Sequence, residues 1–122
     1  MKLLIVDDEK LTREGIISSI DWESLGVSEV YQADDGVRGL ELAKEIEPDI
    51  VLSDVRMPRM DGIEMSSRLK ELFPNINIVF MSGYSDKEYL KAAIRLKAIS
   101  YVEKPIDPQE IEDAITESLR NK

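Results

Sequence analysis

The sequence contains no cysteine and no histidine among its 122 residues. Without cysteine there is no disulfide framework and no thiolate metal site. Without histidine there is no zinc–imidazole centre and no Ser–His or Cys–His nucleophilic pair. Any chemistry must run on carboxylates, hydroxyls, lysines and backbone groups. Long apolar runs are missing too, so no segment reads as a membrane span. The opening Met1-Lys2-Leu3-Leu4-Ile5-Val6 is too short for a secretory signal and runs straight into acids. These features lead us to expect a cytoplasmic protein with no membrane partner.

Positive charge is scarce as well: 16 basic side chains stand against 25 acidic ones, a formal net charge of −9. Such a segment repels nucleic-acid phosphates, so DNA contact would fall to a separate output domain. Acidity by itself speaks mostly of solubility. What is present is ordinary globular material, with 43% hydrophobic residues. The length suits one domain over 1–122 with one core.

Short apolar runs rich in β-branched residues occupy 3–6, 27–33, 50–52, 76–81 and 99–102. Turn or charged residues bound them, so they read as strands. The first, third and fourth lack polar alternation, as parallel strands buried on both faces do. Helical patterns fill the gaps, near 9–20, 36–46, 61–72, 86–97 and 108–120. Asp61-Gly62-Ile63-Glu64 and Ser85-Asp86-Lys87-Glu88 have capping-box spacing, and Pro74 stops the third helix. Asp107-Pro108 sets a cap and a first-turn proline before the stripe Ile111, Ala114, Ile115, Ser118 and Leu119. Five β–α units in alternation predict an α/β fold, a doubly wound five-stranded parallel sheet in the order 2-1-3-4-5. In such sheets ligands bind outside the carboxyl ends of the strands, near the switch point between strands 1 and 3.

Those ends are chemically loaded. Strand 1 runs into Asp7-Asp8, strand 3 into Asp54, strand 4 into Ser82 and strand 5 into Lys104-Pro105. Each alone is an ordinary cap or loop residue; their coincidence at one edge carries the weight. Clustered carboxylates raise one another's pKa, and a divalent cation relieves the repulsion. An oxygen-only ligand set favours Mg²⁺. A carboxylate beside Mg²⁺ can attack phosphorus, with lysine and hydroxyl groups suited to the other phosphoryl oxygens. Asp54, midway between the acidic pair and the Ser/Lys side, is best placed as nucleophile.

Val6-Asp7-Asp8-Glu9, Ser53-Asp54-Val55-Arg56-Met57-Pro58, Met60-Asp61-Gly62, Met81-Ser82-Gly83 and Tyr101-Val102-Glu103-Lys104-Pro105 together resemble the motif set of response-regulator receiver domains, the CheY-like, flavodoxin-like fold. The likeness spans essentially the whole chain. Ile20-Asp21-Trp22-Glu23-Ser24-Leu25-Gly26 and Ser82-Gly83-Tyr84-Ser85-Asp86 are similar to receivers that precede AraC-type DNA-binding domains. The chain is then either a piece of a longer regulator or a freestanding receiver.

The resemblance implies that Asp54 accepts a phosphoryl group from the phosphohistidine of a sensor histidine kinase. It implies Mg²⁺ ligation by Asp8, Asp54 and the Arg56 backbone carbonyl, with Asp7 acting through a metal-bound water. Ser82 and Lys104 would bind phosphoryl oxygens, across a cis Lys104–Pro105 bond. Ser82 and Tyr101 would act as switch residues that reshape the face of the fourth helix, fifth strand and fifth helix, a surface also suited to receiver–receiver dimers. Arg56 and Tyr84 would flank the site and govern water access. Such a domain is a switch, not an enzyme, catalysing only its own phosphotransfer and dephosphorylation. Asp61 is expected to serve only as a cap, and Trp22 only as an apolar anchor at the far end of the sheet. Lys97 stands where many relatives carry glycine, which puts the end of the fourth helix in question.

The main alternative is a Mg²⁺-dependent aspartate-nucleophile phosphohydrolase. That class uses an Asp-x-Asp pattern at strand 1, against adjacent Asp7-Asp8 here, and needs more chain for a cap. A flavodoxin-like cofactor carrier would need a hydroxyl- and glycine-rich loop after strand 1, which Glu9-Lys10-Leu11-Thr12 does not supply. A receiver that never takes phosphate would be expected to lack some of these polar residues.

Overall fold

The computed structural model describes residues 1–83, 86 and 100–120. Strands β1 (Lys2–Val6), β2 (Glu29–Ala33), β3 (Ile50–Asp54), β4 (Asn77–Ser82) and β5 (Ser100–Glu103) form one sheet. Its order is β2-β1-β3-β4-β5, all parallel, as the sequence predicts. Helices α1 (Lys10–Ser19), α2 (Gly36–Ile46), α3 (Gly62–Leu72) and a C-terminal helix (Pro108–Arg120) cover the sheet. The expected helix over 86–97, with Lys97 near its end, and Tyr84 lie outside the described residues, Asp86 excepted.

Successive side chains of a strand point to opposite faces, and the inner strands divide their apolar residues accordingly. Leu3, Ile5, Leu52, Val79 and Met81 face one layer, where Ile16 of α1 meets Ile111 and Ile115 of the C-terminal helix. Leu4, Val6, Val51, Ile78 and Phe80 face the other, against Leu40 of α2 and Met65 and Leu69 of α3. Both faces are therefore dry, which is why these runs show no polar alternation. By contrast the edge strands keep a solvent side: Tyr101 in β5 is 52% exposed.

Several boundaries move for identifiable reasons. Strand β2 starts at Glu29 rather than 27, because Val27 donates its N–H to the Trp22 carbonyl (2.9 Å) and closes a 3-10 turn over Glu23–Leu25. Asp61 caps α3 by accepting the Glu64 N–H (2.8 Å), but the Glu64 carboxylate pairs with Arg68 (3.1 Å) on the exposed face instead of reaching back. Asp107 accepts the Gln109 N–H (2.9 Å) at the start of the C-terminal helix. Helix α2 has a cap that the sequence reading did not assign: Asp35 accepts the Arg38 N–H (2.9 Å). No helix among the described residues is long and apolar enough to cross a membrane.

Candidate functional site

The parallel register brings the loaded strand ends together. Val6 lies opposite Ser53, and Asp54 opposite Met81, so the residues after β1 sit beside the end of β3. Carboxylate oxygens of Asp7, Asp8 and Asp54 all lie within 4.8 Å of one another. Asp7 and Asp54 are buried and Asp8 is exposed, so the cluster opens to solvent on one side. On the β4–β5 side, Lys104 places its Nζ 2.9 Å from Asp54 Oδ1. The same oxygen accepts the Val55 N–H at 2.9 Å. Lys104 itself is fixed by its own N–H, which donates to the Ser82 carbonyl (2.8 Å), and the Lys104–Pro105 bond is cis, as expected.

The electrostatics follow from crowding in a partly dry place. Burial raises the Asp7 carboxyl; the N–H of Glu9 works against this, and the Asp54 and Asp8 charges add to it, leaving a pKa of about 6. Burial also lifts Asp54 above the ordinary carboxylate range, although the Lys104 ammonium and the Val55 N–H pull the other way. For Lys104, burial favours the neutral amine, but Asp54, Asp7 and Asp86 outweigh it and hold the ammonium above its usual pKa. A fold that disfavours its own ionised carboxylates is suited to a cation. Three acidic oxygen donors, one side open to water, and no nitrogen or sulfur ligand fit a hard ion such as Mg²⁺.

All the proposed site residues except Tyr84 fall among the described residues. Ser82 ends β4 and is buried, with its hydroxyl donating to the Gly83 carbonyl (3.2 Å) rather than to a carboxylate. Tyr101 stands on edge strand β5, two rows from the site, opposite Phe80. Arg56 lies just beyond the end of β3, and its Nε pairs with Asp86 at 3.0 Å. Asp86 is buried and also accepts the Gly83 N–H (2.7 Å), so it ties the loop after β3 to the loop after β4. Sequence reading placed Asp86 in a capping-box spacing and in the Ser82–Asp86 stretch but missed this bridge, because the pairing depends on how two loops meet. Asp61 is a cap and lies outside the carboxylate cluster.

Residues 3–116 match the family model described as the response regulator receiver domain, and the chain belongs to that family. A two component transcriptional regulator AraC from Clostridium phytofermentans ISDg has a crystal structure that superposes with a TM-score of 0.93 at 55% identity, over 98% of this chain and 93% of that one. The REC domain of AraT, a response regulator from Geobacillus stearothermophilus, gives 0.89 at 39% identity, over 98% and 95%. The transcriptional regulatory protein HptR of Staphylococcus aureus is 36% identical over 111 residues, 91% of this chain and 43% of that protein. The chain thus spans less than half the length of the curated relatives it matches. This is a receiver domain of the two-component response regulators, of the kind linked to transcriptional regulators.

Proposed function

We propose that Asp54 accepts a phosphoryl group from the phosphohistidine of a sensor kinase, and that residues 1–122 work as one receiver unit. The observation that carries this reading is the placement of Asp54 between two partner sets. Asp7 and Asp8 lie within 4.8 Å on one side, and Lys104 lies at 2.9 Å on the other. An Asp54 oxygen forms the new bond to phosphorus, the P–N bond to the histidine breaks, and the imidazole nitrogen keeps the bonding pair. Lys104 then turns from the carboxylate to a phosphoryl oxygen, and the Ser82 hydroxyl leaves the Gly83 carbonyl to meet another.

Asp8, Asp54 and the Arg56 backbone carbonyl would hold Mg²⁺ directly, with Asp7 acting through a bound water. When bound, the ion offsets the negative charge that gathers between carboxylates and phosphate. Beside Lys104, a groove of about 420 Å³ is lined by Leu11, Thr12, Ile16, Pro105 and Ile106. Leu11 is 82% exposed there and offers an apolar landing for the kinase.

The output follows from charge. A phosphoryl group adds charge and three acceptor oxygens at Asp54. Movement of Ser82 draws the loop after β4 inward and lets Tyr101 turn from solvent toward the sheet. The face built on β5 and the C-terminal helix changes partner preference, favouring a receiver–receiver dimer or a DNA-binding output domain of AraC type.

The test is intact mass after incubation with acetyl phosphate, with and without Mg²⁺, beside Asp54→Ala. Gain of one phosphoryl group only with Mg²⁺ and only in the parent is expected. No gain by the parent, under conditions that label another receiver, would overturn the reading.

A further inference from the structure

We propose that Arg59 and Asp35 form a clasp that positions the loop after Asp54, and with it the Mg²⁺ site. The inference rests on the reading of Asp8, Asp54 and the Arg56 carbonyl as that site. Arg59 has φ 68, in the left-handed region where an L side chain is strained and glycine is the usual occupant. Something must hold it there. Its Nε and Nη2 lie 2.9 and 2.8 Å from Asp35 Oδ2. Asp35 is buried, and its other oxygen caps α2 through the Arg38 N–H. Both Asp35 oxygens are therefore committed, one to a helix and one to a loop 24 residues away.

Backbone packing points the same way. A Cβ on Gly36, the first residue of α2, would run into the Met60 carbonyl, so the helix start lies directly on the loop. At the loop's root, the Gly62 N–H donates to the Val55 carbonyl (2.8 Å), and a Cβ on Gly62 would run into the Asp54 carbonyl. The segment 55–61 is thus anchored at its root on β3 and at its tip on α2. Arg56 lies between the two anchors. Arg59 and Asp35 act through the loop backbone and are positioning residues.

The clasp makes a prediction that charge alone does not. Arg59→Gly relieves the backbone strain and removes a cation; Asp35→Ser keeps a capping oxygen and removes an anion. A long-range charge effect would move Mg²⁺ affinity in opposite directions for the two variants. Lost positioning moves both the same way, to about tenfold weaker binding, the usual scale for supports of metal ligands. The double variant should be little worse than either single one, because both break one contact. Mg²⁺ binding is read by calorimetry, acetyl phosphate labelling is followed at saturating Mg²⁺, and thermal unfolding is recorded in metal-free buffer.

Weaker Mg²⁺ binding by both variants, with labelling at saturating Mg²⁺ within about twofold of the parent, supports the clasp. Unchanged Mg²⁺ affinity in both, or shifts of opposite sign, overturns it while leaving the proposed function intact. Failure of the parent to bind Mg²⁺ would overturn both. Should Asp35→Ser unfold, Arg59→Gly, which leaves the helix cap untouched, decides between loss of affinity and none.

Discussion

Asp49 and Asp54 stand at opposite ends of the same strand, yet they live in opposite electrostatic worlds. Asp49, just before β3, accepts the Lys2 N–H on its carboxylate (2.8 Å). Its own N–H donates to the Lys2 carbonyl (2.9 Å), and its carbonyl accepts the Asn77 N–H (3.2 Å). It stitches the starts of β1, β3 and β4 together. Asp54, at the other end, shares its space with two further carboxylates and leans on one ammonium. One end of the sheet is a finished structural joint. The other carries charge that the fold itself does not balance, and function follows the imbalance.

The sharpest way to break this contrast is to exchange the lysine at each end. Lys104→Met removes the cation that faces Asp54, and the rate of labelling by acetyl phosphate should fall by about 10²-fold. Lys2→Met removes an ammonium that donates to the Ile46 carbonyl (3.0 Å) at the structural end. Labelling by that variant should match the parent. Equal losses in both variants would mean that the rate tracks general stability, and the assignment of Lys104 would fall.

A second test reads the imbalance as stability. The Asp7 carboxyl has a pKa of about 6 in the folded protein, against an ordinary value of 3.8. The native state therefore binds the extra proton first, and stability falls as pH rises through that window. In metal-free buffer the protein should be more stable at pH 5 than at pH 7, by about 1–2 kcal/mol, since a tenfold change in proton affinity corresponds to about 1.4 kcal/mol. Mg²⁺ should remove that difference by taking the proton's place. Asp54 is shifted the same way, so Asp54→Asn should stabilise the metal-free protein at pH 7 and flatten its pH dependence. Urea unfolding at the two pH values checks this; a parent less stable at pH 5 would contradict the crowding.

These tests concern features that the sequence exposes to different degrees. The strand order was legible because β1, β3 and β4 are dry on both faces, which forces unbroken apolar runs such as Leu3-Leu4-Ile5-Val6. The place of the carboxylate cluster was legible because the fold rule says where to look, and Asp7, Asp8 and Asp54 converge there with Lys104 against Asp54. What stayed hidden depends on how loops meet. The sequence reading gave no role to Asp35 or Arg59, and nothing in their spacing announces a contact across 24 positions. The one available signal was Asp35 directly before the glycine that starts α2, a plausible cap. The Arg56–Asp86 pair was hidden for the same reason. The size of the Asp7 shift was out of reach because burial, its largest cause, is a property of the folded chain.

The smallest expected effect comes from the structural end. Trp22 donates its Nε1–H to the Ile17 carbonyl (3.0 Å) and packs against the core layer of Ile16, Ile20 and Val27. Its carbonyl also closes the turn that feeds the start of β2. The carboxylates lie beyond the far end of the neighbouring strand, and five residues at about 3.3 Å each put roughly 17 Å between the two ends. At that distance no site residue touches the indole, so Mg²⁺ titration should leave Trp22 fluorescence unchanged while calorimetry registers binding. A clear quench, coincident with binding, would mean that the ion reorganises the sheet from end to end. The two ends would then be one coupled unit, and the division between a structural joint and a working site would not hold.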